Sequence, residues 1–180
     1  MWEWLSSLSG GAATFIGSLT GSAIGLIALL IGALFNAHLN RKRDDRLREV
    51  DARGVAVALQ AELGGIREVL TLNAEGLEKA KSDFTVPDVT QLVRIFPQVL
   101  PKITLLNAEI ISAVADAYVM IEQHIQTCIL IGCTVDNTSI PNRRMLLVRN
   151  AISPNVAKIN RHTVELIEKA IAKLDSYLRR

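Results

Sequence analysis

The sequence predicts an all-α protein, in which one N-terminal transmembrane helix continues into a cytosolic bundle of four or five helices. Three observations support this class. An uncharged apolar run lies near the N-terminus, aliphatic residues further along recur at three- and four-residue steps, and aromatic residues make up only 4% of the chain. Such steps are typical of helices, whereas strands show alternation. About 140 residues remain after the apolar run, enough for one domain with a modest core.

The first element is the run over residues 11–35, which contains no charged side chain. As a helix rising about 1.5 Å per residue it extends roughly 37 Å, enough to cross a hydrocarbon core of about 30 Å. It is longer than a signal-peptide core, and no Lys or Arg precedes it, so we expect it to remain in the mature protein. Residues 1–36 are therefore predicted to form the transmembrane helix with a short N-terminus.

Small residues leave one face of this helix nearly free of side chains. A glycine inside a helix costs up to about 1 kcal/mol relative to alanine, so the repeated glycines indicate a gain from close helix packing. Because the sequence offers one such helix, its expected partner is another copy of the chain. Hydroxyl groups near this face could serve a wet lumen or bond their own backbone. The predicted oligomer interface is Gly11, Thr14, Gly17, Ser18, Gly21, Gly25, Ala28 and Gly32.

The flanking charges predict the orientation of the helix. Residues 41–43 are all basic, whereas the N-terminal side carries only Glu3. Basic residues favour the cytoplasmic side, so we expect a single-pass protein of the inner (cell) membrane with its N-terminus outside and its domain in the cytoplasm. Trp2 and Trp4 suit the headgroup region at the outer end.

A polar helical neck is expected over residues 37–54, where acidic and basic residues interleave without proline. The neck is either a solvated connection or a place where neighbouring copies pair their charges, although an exposed pair contributes only about 0–1 kcal/mol. In an oligomer it would form the cytosolic mouth of a pore. The residues assigned to the pore mouth or neck are Asn36, Asn40, Arg41, Arg43 and Arg46.

The cytosolic bundle is predicted over residues 55–180. An apolar stripe continues the first helix until residues 82–88 interrupt it. Pro87 favours an extended Val86, and Asp88 is a suitable cap for a short helix, which Pro97 limits in length. The stripe consists of Val55, Leu59, Leu63, Ile66, Leu70, Ala74, Leu77 and Phe84.

Three further helices are expected, over residues 102–135, 143–152 and 155–178. The first is the central helix, because charged residues interrupt it too often for a second membrane crossing. His124 lies on its apolar side and is expected to be buried and neutral, with one hydrogen-bond partner. Cys128 and Cys133 are expected to be buried, reduced thiols. The last helix is expected to start at Pro154 with Ser153 as its cap.

No known catalytic motif is present in the sequence. The phosphate-binding, dinucleotide-binding, zinc-protease and nucleophile-elbow patterns are all missing. Arg–His ribonucleases have an Arg four to six residues before a His, and none of the three histidines has one. We therefore expect no catalytic, cofactor-binding or metal site, and no enzyme.

Charge is unevenly divided along the chain. Residues 141–180 hold nine basic and three acidic residues, whereas residues 44–140 hold eight basic and fourteen acidic. The halves could pair with each other, or the basic one could attract a nucleotide, an RNA or the anionic inner leaflet. Few aromatic residues are available for base stacking, which disfavours sequence-specific RNA reading. The residues that would contact an anionic partner are Arg143, Arg144, Arg149, Lys158 and Arg161.

The glycine-rich run over residues 11–35, the basic residues 41–43 and a helical domain reaching Arg180 together resemble a known family. It comprises small membrane-anchored helical accessory proteins encoded beside RNA-targeting, RNA-guided nucleases in CRISPR loci. The resemblance implies a divergent Arg–His ribonuclease-like fold, ring-shaped oligomers and a membrane pore used in antiviral defence. The implied partners are the membrane, further copies of the chain and an RNA-guided nuclease system or other defence partner, with no small-molecule substrate.

Two functions follow as alternatives. In the first, the protein forms a homo-oligomeric pore or otherwise permeabilises the membrane. In the second, it is a membrane-tethered adaptor whose basic C-terminal helices bind a protein or nucleic acid without a pore. Liposome conductance distinguishes them.

Overall fold

The computed structural model describes residues 10–137, 140 and 143–180 of the chain. The fold is broadly all-α, as predicted, and its contacts divide it into two compact units, Met1–Arg48 and Glu49–Arg180. The elements are α1 (Gly10–Lys79), β1 (Phe84–Pro87), α2 (Phe96–Val99), α3 (Ala108–Leu130), β2 (Thr134–Asp136), β3 (Met145–Val148) and α4 (Ser153–Leu178), with 3-10 helices at Val89–Leu92, Leu100–Leu105 and Asn150–Ile152.

The first unit contains the apolar part of α1. This stretch is long and apolar enough to cross a membrane, and none of its most apolar window is buried in the structure. Leu29 and Leu34, for example, are 73% and 67% exposed. The predictions for Trp2, Glu3 and Trp4 lie outside the described residues.

The second unit is built around the predicted stripe of α1. Leu59, Leu63 and Leu70 are completely buried, which confirms that this face of the helix belongs to a core. Phe84, by contrast, is partly exposed and lies over Gly76, where an added Cβ would come within 3.0 Å of the phenyl ring. Glycine at this position therefore lets the ring approach the helix.

The helices α3 and α4 complete this core. Both are present as predicted, and Ile121 of α3 and Ile167 and Leu174 of α4 are fully buried with the α1 stripe. The predicted limits of the central helix, 102–135, are too wide. It begins only at Ala108, because Asn107 adopts an extended backbone and its side chain accepts a hydrogen bond from the Ile110 N–H.

The C-terminal end of α3 is set by Gly132. Its φ of 105° is a left-handed conformation that favours glycine, and the Cys133 N–H donates to the Cys128 carbonyl at 3.0 Å. This six-to-one hydrogen bond is the Schellman arrangement that closes many helices. The chain then continues as β2.

The predicted helix over residues 143–152 is wrong. Residues Met145–Val148 form β3, the central strand of a three-stranded antiparallel sheet with β1 on one side and β2 on the other. Leu146 lies opposite both Val86 and Val135 and is fully buried. The periodicity of a short apolar run does not distinguish a strand from a helix. Here the residues form a strand because they pair with two other strands.

The short connections match the predictions in part. Val86 is extended before Pro87, and Asp88 caps the 3-10 helix that follows by accepting from the Thr90 N–H at 3.0 Å. Pro154 lies in the first turn of α4, as expected. The predicted cap at Ser153 is wrong, because α4 already includes this residue and its hydroxyl donates to the Arg149 carbonyl at 3.4 Å.

Candidate functional site

The candidate site is the small-residue face of α1 in the first unit. All of its predicted residues, from Gly11 to Gly32, are exposed. At about 100° per residue they fall within an arc of roughly 120°, so they form one face as expected. A Cβ added to any glycine of this face would meet no atom within 4 Å apart from the helix's own backbone. The glycines of this face therefore leave room for the backbone of another helix.

The hydroxyl group of Thr20 gives no support to a wet lumen. The Thr20 hydroxyl donates to the Ile16 carbonyl at 2.8 Å. A hydroxyl that bonds its own helix backbone needs no water and no partner helix. This matches the second of the two roles that the sequence left open.

The pore-mouth residues lie further along the same unit. Asn36, Asn40, Arg41, Arg43 and Arg46 are all exposed on α1. Within the described part of the chain none of the three arginines forms an ion pair. Their positive charges are thus available to ligands or to other copies.

The basic C-terminal residues fall into two groups. Arg144 and Arg161 already have carboxylate partners, whereas Arg143, Arg149 and Lys158 are exposed and form no ion pair among the described residues. The predicted set is therefore not a uniform surface of free cations.

The pairs of Arg144 and Arg161 link distant parts of the second unit. Arg144 contacts the buried Asp88 at 2.5 Å through Nε and donates to the Thr90 hydroxyl at 3.1 Å. Arg161 holds Glu78 with two hydrogen bonds, at 2.7 and 2.8 Å, which lower the pKa of Glu78 and raise that of Arg161. The Arg161–Glu78 pair is the pairing between the C-terminal helices and the long helix that the charge division suggested, whereas Asp88 lies beyond the end of α1.

Three side chains of types that can act in catalysis, His124, Cys128 and Cys133, lie inside the core. His124 is 1% exposed, and its Nε2 lies 2.6 Å from the Asn160 side-chain oxygen. Burial lowers the pKa of His124, and the hydrogen bond to Asn160 offsets part of this effect.

Cys128 and Cys133 are free and buried, as predicted, and burial raises the pKa of Cys128 to about 12. Among the described residues, no group of three His, Cys, Asp or Glu side chains could hold a metal ion.

Comparison with protein-family models, curated proteins and solved structures finds no match to this chain.

One buried polar site was not predicted from the sequence. Glu62 of α1 is only 8% exposed, and its carboxylate accepts hydrogen bonds from the backbone N–H groups of Arg94, Ile95 and Phe96 at 2.5, 2.5 and 3.1 Å. The Tyr118 hydroxyl donates to it at 2.6 Å. Burial raises the pKa of Glu62, but these hydrogen bonds outweigh it and the net shift is downward.

The surroundings of Glu62 explain why its carboxylate is structural. Successive backbone N–H groups can form a concave site for an anion. Here the anion is the carboxylate of Glu62 itself. Phe96 stacks on Tyr118 with ring centroids 3.9 Å apart, which fixes the phenol beside the carboxylate. No local pattern in the sequence could indicate the site, because Glu62 and the three amides are more than thirty residues apart.

Proposed function

We propose that the protein is a homo-oligomeric membrane protein that forms a pore or otherwise permeabilises the inner membrane. The supporting observation is the small-residue face of α1, whose residues are all exposed and whose glycines have open space where a Cβ would lie. Close approach of helix backbones in lipid depends on such residues, since packing and not hydrophobic burial drives helix association there. Copies inserted in the membrane with the same orientation have parallel helices, so each copy offers the same small-residue face for packing.

The proposed orientation follows from the charges. The basic residues 41–43 end the apolar stretch, which favours a cytoplasmic location for the unit Glu49–Arg180. The N-terminus is then outside, and the exposed arginines of the neck surround the cytosolic end of the assembly. A role as an accessory effector in antiviral defence, acting with an RNA-guided nuclease system or other defence partner, rests on the resemblance in architecture alone.

The experiment compares Gly21→Leu with Ala23→Leu. Both place a leucine side chain at nearly the same depth, but Gly21 lies in the small-residue face and Ala23 lies outside it, roughly 160° around the helix. Mass photometry of the full chain in detergent is expected to show the wild-type assembly for Ala23→Leu and smaller species for Gly21→Leu. Equal stoichiometry for both variants would contradict packing through this face.

A pore also requires ion flux. Liposomes containing the wild-type chain are expected to release a trapped ion or small dye, and those containing Gly21→Leu are not. Because a defence effector can require a trigger, the measurement is repeated with an RNA-guided nuclease complex, the partner that the resemblance implies. An assembled ring that conducts under none of these conditions would contradict the pore and support the adaptor.

The adaptor is the second candidate, and the exposed Arg143, Arg149 and Lys158 favour it. Replacing these three residues by Gln would then abolish capture of the partner while leaving the oligomer intact. Under the pore proposal the same substitutions leave ion flux unchanged.

A further inference from the structure

A groove that is both cationic and apolar lies on α1 just beyond its uncharged stretch. Its volume is about 340 Å³, and it is lined by Leu39, Lys42, Arg43, Arg46 and Leu47. These residues follow steps of three, one, three and one, which keeps them on one face of a helix. Along this face, one leucine thus precedes the three basic residues and another follows them.

The three charges have no counterion in the described chain. Lys42, Arg43 and Arg46 are exposed and form no ion pair or side-chain hydrogen bond there. The acidic neighbours Asp44 and Asp45 lie more than about 120° away around the helix from the centre of the groove. The groove is therefore complementary to an anion that comes from outside the chain.

The position of the groove along the helix points to the membrane as the source of this anion. At about 1.5 Å per residue, Leu39 lies roughly 6 Å and Arg46 roughly 16 Å beyond Phe35. The headgroup layer adds only about 5–8 Å to each side of the hydrocarbon core. Leu39 is thus at headgroup level, and the long Lys and Arg side chains can extend back toward it.

We propose that this groove binds the headgroup of an anionic phospholipid. Lys42, Arg43 and Arg46 contact the phosphate, and Leu39, which lies nearest the hydrocarbon core, packs on the apolar part of the lipid. A soluble anion would use the charges but gain nothing from Leu39, whereas an amphiphile uses both. The inference depends on the membrane insertion in the proposed function, but not on a pore or on a particular number of subunits.

The test uses two double variants with the same charge. Arg43→Gln with Arg46→Gln removes two charges from the groove. Arg41→Gln with Arg48→Gln removes two from the opposite side of the same segment, and the two pairs have the same mean position along the helix. Native mass spectrometry of the full chain in neutral detergent counts bound phosphatidylglycerol, with phosphatidylcholine as the neutral lipid. Detergent removes the diffuse field of a charged bilayer, so only bound lipid is counted.

The wild-type chain is expected to retain phosphatidylglycerol in preference to phosphatidylcholine. The groove variant should bind it up to about 25-fold more weakly, since a direct exposed ion pair with the phosphate contributes a factor of up to about five, while the opposite variant should stay within about twofold of the wild type. Equal losses in both variants, or no preference for the anionic lipid, would overturn the proposal. Displacement of the lipid by millimolar inorganic phosphate would assign the groove to a soluble anion instead.

The same spectra report the number of subunits, which separates this inference from the proposed function. Selective lipid loss in a monomeric protein would support the lipid site and contradict the oligomer. An intact oligomer without lipid preference would support the oligomer and contradict the lipid site.

Discussion

The two units of the chain differ in where their side chains find partners. In Glu49–Arg180 the aliphatic stripe of α1 is buried with α3 and α4, and even the buried Glu62 and Asp88 have hydrogen bonds from the chain itself. In the unit up to Arg48 the apolar side chains of α1 are exposed, with Leu29 at 73%. The first arrangement stabilises a fold from within, whereas the second leaves apolar surface that lipid or another protein could cover. Substitutions should therefore affect folding in one unit and assembly in the other.

The largest expected effect is that of Glu62→Ala. The variant leaves the buried Tyr118 hydroxyl and three partly buried backbone N–H groups without their acceptor. A buried unsatisfied donor costs about 1–3 kcal/mol and a partly buried one less, so we expect about 4 kcal/mol of destabilisation in all. Hydrogen exchange of the full chain in detergent measures this as loss of protection in α3 and at residues 94–96.

Glu68→Ala is the matched control for this variant. Glu68 lies on the same helix but is exposed, so its replacement should change the free energy of unfolding by less than about 0.5 kcal/mol. Similar effects for Glu62 and Glu68 would show that the buried carboxylate does not organise this part of the unit.

A pair of identical substitutions tests the comparison directly. Leu63→Ala creates a cavity in the core and should destabilise Glu49–Arg180 by about 3 kcal/mol. Leu29→Ala removes the same atoms from an exposed position and should leave hydrogen-exchange protection in α3 and α4 unchanged. A loss of protection in α3 caused by Leu29→Ala would contradict the separation of the two units.

The smallest expected effect is a dependence on pH through His124. Burial lowers the pKa of His124 in the folded state, so below about pH 6.5 the unfolded chain binds a proton that the folded chain does not. Stability is thus fully present above this pH and falls as the pH decreases toward the folded-state pKa, with a slope of up to about 1.4 kcal/mol per pH unit.

His124→Gln should flatten this dependence between pH 7.5 and 5.5, because glutamine can hydrogen-bond Asn160 but does not titrate. Urea unfolding of the full chain in detergent at a series of pH values provides the measurement. An equal slope in the variant would assign the dependence to other groups.

Sequence periodicity was enough to predict the helices of the core. The stripe from Val55 to Leu77, the break before Pro87 and the start of the last helix at Pro154 were all found. These features depend on neighbours within a few residues, where spacing and proline geometry act directly. The approach failed for strand β3. Its four residues form a strand because they pair with β1 and β2, and this pairing cannot be read from the four residues themselves.

The candidate sites show the same limit. The small-residue face follows from spacing alone, since all its residues share one helix. The site of Glu62 does not, because its acceptor role depends on amides from residues 94–96 and on Tyr118 of α3. The same is true of the basic C-terminal residues. Arg144 and Arg161 have ion-pair partners because the fold brings the carboxylates of Asp88 and Glu78 near them, and local sequence does not indicate these pairs.

The contribution of α4 to the core also has a consequence for biosynthesis. Ala170 and Leu174 fill the space beside the α1 stripe, and Gln60 donates to Asp175 from a position 115 residues earlier in the chain. A ribosome adds about 5–20 residues per second, so α1 emerges many seconds before α4 can cover it. During that interval the stripe of α1 is open to solvent. A chaperone or the membrane insertion machinery that engages α1 early would therefore protect the nascent chain from aggregation.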